Sequence, residues 1–471
     1  MASSTHSRGR RCLALTAAAG LLALTGPVLP ATAQPPAPGQ PAESGQPPPQ
    51  NDAFQPDSGP LSPVGPEYQQ QTACMAPNPG GGAIEERPWS QMVLGYEQAH
   101  SEELTGEGRK IAVIDTGINP HPFLPPVDDG GSSVPGGGAN FDCDGHGTIV
   151  AGILAAQPND GSGFIGVAPD AQLMSLRQSS KLWQTQQDGQ TVGDTETMAQ
   201  AVQHAVDSGA NVINISQSSC QAIAQAANPN DPFNGALHTA VKNAYERGVV
   251  VVAAAGNVEG ACQKNPSGDP TTAVLPAWFD DYVLTVASVN EQGAPSEFTV
   301  PGPWVDVAAP GEGLVSLDPG PGGTGLASQI ATGQGGELGP IQGTSFAAPY
   351  VSGLAALIQE RGIEEGQQYS AQQVMERIKK TALSPGGTGG RNDIVGHGMI
   401  DPMAALHNVI PAEHGKAPAD TGPARLDADV IPQKNWPAIM VALGTTGGGI
   451  AALIFTAFLI NAVKRVRSRQ G

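Results

Sequence analysis

The sequence predicts an α/β domain built on a parallel sheet with helices on both faces. Two observations carry this expectation: six short apolar runs of strand length, and helical patterns of three- and four-residue spacing between several of them. The runs are Ile111 to Ile114, Leu173 to Leu176, Val212 to Ile215, Val249 to Ala254, Val283 to Val286 and Val305 to Val307. They scarcely alternate with polar residues, as expected of strands buried on both faces. The helical stretches Glu196 to Val206 and Ala236 to Arg247 end near Gly209 and Gly248, as helix stops do. In such a fold active sites gather at the carboxyl ends of the strands.

In chain order, residues 1–33 give a basic start (Arg8, Arg10, Arg11), an apolar stretch from Leu13 to Leu29 broken by Gly26 and Pro27, and Ala31-Thr32-Ala33. That is the pattern of a secretory signal cleaved after Ala33. The run is too short and too broken for an uncleaved membrane anchor. Residues 34–87 form an extension dominated up to residue 66 by Pro, Gln, Gly and Ser, which cannot bury enough apolar surface to fold alone. Residues 88–409 carry the globular pattern, and residues 410–435 return to Pro, Ala and Asp as a stalk. The segment 436–463 is apolar and uncharged from Pro437 to Ile460, a helical length of about 36 Å against a hydrocarbon core of about 30 Å. Lys464, Arg465, Arg467 and Arg469 follow within the tail 464–471. The positive-inside rule puts this tail in the cytoplasm and everything between the two apolar segments outside. Gly444 and Gly448 form a GxxxG pair compatible with close helix approach, a pattern common in membrane helices generally.

The 471 residues leave room for one large folded domain with appendages. A formal charge of -20, with clustered cations only at the extreme ends, excludes electrostatic capture of nucleic acid. No loop carries a calcium-ligand pattern, so no metal and no cofactor is expected.

Three local patterns carry chemistry. Asp115 follows the run Ile111 to Ile114 directly and precedes Thr116-Gly117, so its carboxylate projects from a strand end. Asp-Thr-Gly also marks aspartic proteases, which need two such loops in an all-β fold. The second copy, Asp420-Thr421-Gly422, lies in the stalk with no strand before it, which argues against that chemistry. His146, in Asp144-Gly145-His146-Gly147-Thr148, opens a small-residue helix at Ile149 to Ala156, and its two flanking glycines imply a close approach to the ring. Ser345, in Gly343-Thr344-Ser345-Phe346-Ala347-Ala348-Pro349, begins an apolar helical run. A serine there is most often an N-cap, but the positive helix end also favours an attacking alkoxide.

Together these three patterns, in the order Asp, His, Ser, resemble the motifs of subtilisin-like serine proteases. The resemblance runs over roughly residues 90 to 407 and includes Ala253 to Asn257. It implies a subtilisin-like fold in which Asp115, His146 and Ser345 form a catalytic triad and Asn257 supplies the side-chain oxyanion donor. It also implies that Ser216, Gln217 and Ser218, with Ala253, Ala254, Ala255 and Gly256, line the first specificity pocket. The family usually has glycine where Ser218 stands.

Cys12 leaves with the signal, and four cysteines remain in an oxidising compartment. Cys220 and Cys262 each follow shortly after a strand, so in a parallel sheet their loops emerge at the same end and the two are expected to pair. Cys74 and Cys143 then pair, stapling the extension beside His146. A subtilase with such an extension, a stalk and one C-terminal membrane helix resembles the mycosins of actinobacterial type VII secretion. That resemblance implies cleavage of a protein or peptide substrate at the outer face of the plasma membrane, with components of the secretion membrane complex as partners. A structural scaffold with secondary proteolysis, and a general extracellular degradative protease, are the alternatives. The extension also lacks the apolar residues of a compact inhibitory prodomain and is expected to wrap the domain in extended form.

Overall fold

The computed structural model describes residues 45–77, 84–332, 337–386, 388–410, 413 and 452–465. The expected signal, nearly all of the stalk, most of the expected membrane helix and Asp420-Thr421-Gly422 lie outside them. Residues 452–465 are helical, and among the described residues no helix is long and apolar enough to cross a membrane. The chain divides into two compact units, Met1–Leu406 and His407–Gly471. The first contains the fold.

Its centre is a seven-stranded sheet of β1 (Lys110–Asp115), β2 (Val127–Ser132), β3 (Gln172–Arg177), β4 (Val212–Ile215), β5 (Val250–Ala254), β6 (Val283–Val289) and β7 (Val307–Pro310). The spatial order is β7-β6-β5-β4-β1-β3-β2 and every pairing is parallel. Five strands match the apolar runs closely. The sixth begins two residues late, because Val305 belongs to a turn closed by its N–H on Gly302 O at 3.1 Å. β2 was not expected, since its sequence Val127-Asp-Asp-Gly-Gly-Ser132 is polar and it forms one edge.

The period-two geometry of a strand explains the continuous apolar runs. Ile111, Val113, Val212, Val250, Val252 and Leu284 face one core. Ala112, Ile114, Ile213, Ile215, Val251 and Ala253 face the other. The first core is covered by α1 (His146–Ala155) and α4 (Thr344–Glu364), the second by α2 (Thr195–Asp207) and α3 (Pro232–Glu246). In α4 every residue from Thr344 to Ile358 is buried, which is why its sequence is apolar or small all round. Trimming one of its large members, such as Leu354→Ala, costs about 2–5 kcal/mol.

Caps set the outer helices. Asp194 forms a capping box with Thr197 at α2, and Asp231 accepts from Phe233 and Asn234 N–H at α3, with Pro232 at the first helical position. A further helix, α5 (Ala371–Thr381), begins with a Ser370/Gln373 capping box.

Residues 45–77 lie on this domain as a strap. Gly45 O accepts from Trp278 Nε1 at 2.9 Å, and Phe54 packs against Gly235. Leu61 is buried and bridges Gly131, Val64 N–H donates to Ser133 O, and Tyr68–Gln70 pairs antiparallel with Ser180–Thr185. In each of these contacts the strap offers its backbone or one apolar side chain, so it takes its order from the domain beneath it. Cys74 is bonded to Cys143 and Cys220 to Cys262.

Candidate active site

Asp115 is the last residue of β1 and fully buried. Its Oδ1 accepts the backbone N–H of Thr116 at 2.7 Å and lies 2.7 Å from His146 Nδ1. A carboxylate can only accept, so Nδ1 carries the proton and Nε2 is left with its lone pair. Burial disfavours the charged imidazole, but the Asp115 carboxylate and its hydrogen bond, helped by Asp142, hold the His146 pKa above the ordinary histidine value.

The loop carrying His146 is held from beneath by Asp142, also fully buried. One of its oxygens accepts Thr116 Oγ1 at 2.8 Å and Gly145 N–H at 2.7 Å. The other accepts the N–H and Oγ1 of Thr148, at 2.9 and 2.7 Å. Burial pushes this carboxyl up to about 6, against the hydrogen bonds from Thr148 and Thr116. Asn119 completes the frame by bonding both the N–H and the carbonyl of Asp142. The flanking glycines now have causes. Gly145 adopts φ 79° at the start of α1, and a Cβ on Gly147 would lie 2.1 Å from Gly117 O. What approaches the ring closely is the protein's own Asp115 loop.

Ser345 is the second residue of α4. Pro349, four residues on, has no N–H to give to the Ser345 carbonyl, so the helical bond at that point is missing. That carbonyl instead accepts Ser216 Oγ at 2.7 Å. Ser216 in turn accepts Asn214 Nδ2 at 2.9 Å, and Asn214 Oδ1 accepts Ser352 Oγ at 2.8 Å. The Ala-Ala-Pro of the motif is thereby explained: the proline frees a carbonyl through which the end of β4 grips the Ser345 backbone. The Phe346 ring lies 4.8 Å from the His146 ring, so α1 and α4 meet at the site. No hydrogen bond joins Ser345 Oγ to the imidazole in this arrangement; such bonds tighten when a peptide closes the site.

Asn257 follows β5. Its Oδ1 accepts both the N–H and Oγ1 of Thr344, each at 3.0 Å. Two donors on that oxygen fix which way the amide faces and leave Nδ2 free to donate beside Ser345. Of the expected pocket residues, the Ser216 hydroxyl is committed to Ser345, and Ala253, Ala254 and Ala255 are buried. Gly256 is buried as well, and Ser218 is partly exposed. Gln217 turns its amide toward Asp115 and His146 instead. Sequence reasoning missed Asp142, Asn214 and Ser352. Asp142 had one signal, a carboxylate four residues before a Gly-flanked His.

The arrangement can ionise a serine beside a neutral imidazole and place donors around the oxyanion that its attack on a carbonyl creates. Comparisons with known proteins agree with this chemistry. The sequence profile of the subtilase family matches residues 106–398. Mycosin-4 of Mycobacterium tuberculosis is 41% identical over 480 residues, covering 98% of each chain. Mycosin-1 of the same organism is 39% identical over 84% of this chain and 89% of its own. Among solved structures, the MycP3 protease from the type VII (ESX-3) secretion system superposes with a TM-score of 0.68 at 38% identity, covering 77% of this chain and 99% of that one. A chain of an intact ESX-5 inner membrane complex superposes with a TM-score of 0.70 at 34% identity, over 89% and 99%.

Proposed function

The chain belongs to the subtilase family of serine-type peptidases and, within it, to the mycosins, and we propose that Asp115, His146, Ser345 and Asn257 are its catalytic residues. His146 takes the proton from Ser345 Oγ as that oxygen attacks a peptide carbonyl, and then gives it to the leaving amine. Asn257 Nδ2 and the Ser345 N–H hold the oxyanion, and water, activated by the same imidazole, releases the acyl-enzyme. Asp115 holds the tautomer and stabilises the imidazolium. The observation that supports this reading best is the 2.7 Å bond from a fully buried Asp115 to His146 on the helix that packs against Ser345's own. The test is reaction with a fluorophosphonate: one equivalent is incorporated at Ser345, and Ser345→Ala abolishes it. Labelling at another serine would remove the assignment.

The activity works in a type VII secretion system, at the outer face of the plasma membrane. Residues 1–33 direct export, the domain at 88–409 cuts secreted protein substrates, and residues 436–463 tether it with the tail 464–471 inside. Support comes from the composition of both ends and from likeness to a chain of an ESX-5 inner membrane complex. That likeness also favours a second reading, in which the domain is a structural part of the complex and proteolysis is secondary. Export and complex assembly in a host carrying Ser345→Ala separate the two: loss of export with the complex intact supports proteolysis as the main role. Unchanged export and assembly support the scaffold.

A further inference from the structure

Two consecutive residues leave β4 and grip opposite partners. Ser216 turns inward to the Ser345 carbonyl, while Gln217 places Nε2 at 3.3 Å from Asp115 Oδ1 and 3.3 Å from His146 Nδ1. Because Nδ1–H already points at Asp115, it has no lone pair for the amide, and the acceptor-only carboxylate requires that the amide's N–H, not its oxygen, face it. We propose that Gln217 is a positioning residue of the catalytic centre, which tunes the basicity of His146 by donating to the same Asp115 oxygen that His146 uses.

The carboxylate is loaded unevenly. Oδ1 receives Thr116 N–H, His146 Nδ1–H and Gln217 Nε2–H, whereas Oδ2 is buried and takes no hydrogen bond from the described residues. Every donor added to Oδ1 draws charge from the atom that holds the imidazole, and so weakens its hold on the imidazolium. The charged groups facing His146 are Asp115 and Asp142, which favour its protonation, Lys181, which opposes it, and Asp144, which the imidazolium itself stabilises. Gln217 is the neutral donor among them. Its removal leaves Asp115 a stronger partner and raises the proton affinity of His146. A glutamate in its place adds a second negative charge beside the ring and raises it further.

This inference rests on the catalytic roles proposed above, and the experiment keeps the two apart. The rate of fluorophosphonate labelling at Ser345 is measured from pH 5 to 9 in the full-length protein in detergent, which requires no known substrate. The acid limb of that profile reports the neutral fraction of His146. In Gln217→Leu the limb moves up by about 0.3–0.5 pH unit, and in Gln217→Glu by about one unit, or about tenfold in rate on the limb. A merely structural role would lower the labelled fraction or the melting temperature and leave the limb in place. Limbs that coincide with that of the unmodified protein overturn the inference while leaving Ser345 as the nucleophile. So does a Gln217→Leu protein altered only in KM for a peptide, since that describes a substrate contact. An unmodified protein that takes no label overturns the catalytic roles themselves. Should Gln217→Glu not fold, Gln217→Met preserves the side-chain shape and is expected to behave as Gln217→Leu.

Discussion

The bond between Ser216 and the Ser345 carbonyl can be tested through the proline that makes it necessary. In Ser216→Ala the Ser345 carbonyl loses its side-chain donor and Pro349 offers none in its place, while Asn214 Nδ2 loses its acceptor. Each buried group left unpaired costs about 1–3 kcal/mol and two are stranded, so the substitution should cost about 2–6 kcal/mol. Pro349→Ala restores an N–H four residues after Ser345, able to close the ordinary helical bond. In that background Ser216→Ala strands only the Asn214 amide, and its cost should fall by about 1–3 kcal/mol. The measurement is a double-mutant cycle of urea unfolding followed by tryptophan fluorescence, with Ser345 labelling as the functional readout. An interaction energy indistinguishable from zero would refute the view that proline and serine act on one carbonyl. So would a stronger cost in the Pro349→Ala background.

Three further outcomes follow from the site and the strap. Asn257→Ala should lower turnover ~10²- to 10³-fold, the magnitude known for subtilisin's own donor. Asn257→Asp retains an oxygen for Thr344 and should lower turnover at least as far, so equal rates of peptide hydrolysis by the unmodified and Asn257→Asp proteins would remove Asn257 from the oxyanion hole. Because His146 must be neutral to accept a proton and its pKa is held above the ordinary histidine value, kcat/KM should fall as pH drops through a midpoint above about 6.5; a midpoint below that value, read from the pH profile, would contradict the Asp115 contact. A chain beginning at Gln34 should be active without further N-terminal cleavage, and deletion of residues 35–66 should lower its melting temperature through loss of the Trp278, Gly235 and Gly131 contacts without raising turnover. A large gain in peptide hydrolysis on deletion would make the extension inhibitory.

The six core strands and the helices that open at His146 and Ser345 were legible in the sequence because each records a local cause. A strand buried on both faces must be apolar at nearly every position, and a helical stretch buried all round must be apolar or small, so Val250–Ala254 and the stretch from Thr344 to Ile358 announce their surroundings wherever they lie. The three motifs of the candidate site were legible for the same reason, since each holds its glycines and its functional group within a few residues. α5 carries a readable Ser370/Gln373 capping box, whereas nothing in Val127–Ser132 marks an edge strand until β3 lies beside it. The rest was decided only by the tertiary structure. Gln217 reads as a pocket residue until Asp115, 102 positions earlier, is seen 3.3 Å from its amide. Ser216 reads likewise until Ser345, 129 positions later, presents a carbonyl that its own helix cannot satisfy. Asp142 becomes a support only when Thr116, 26 residues before it, turns its hydroxyl back. A hydrogen bond needs two groups within about 3 Å, and which distant group arrives there depends on how the whole sheet stacks strand against strand.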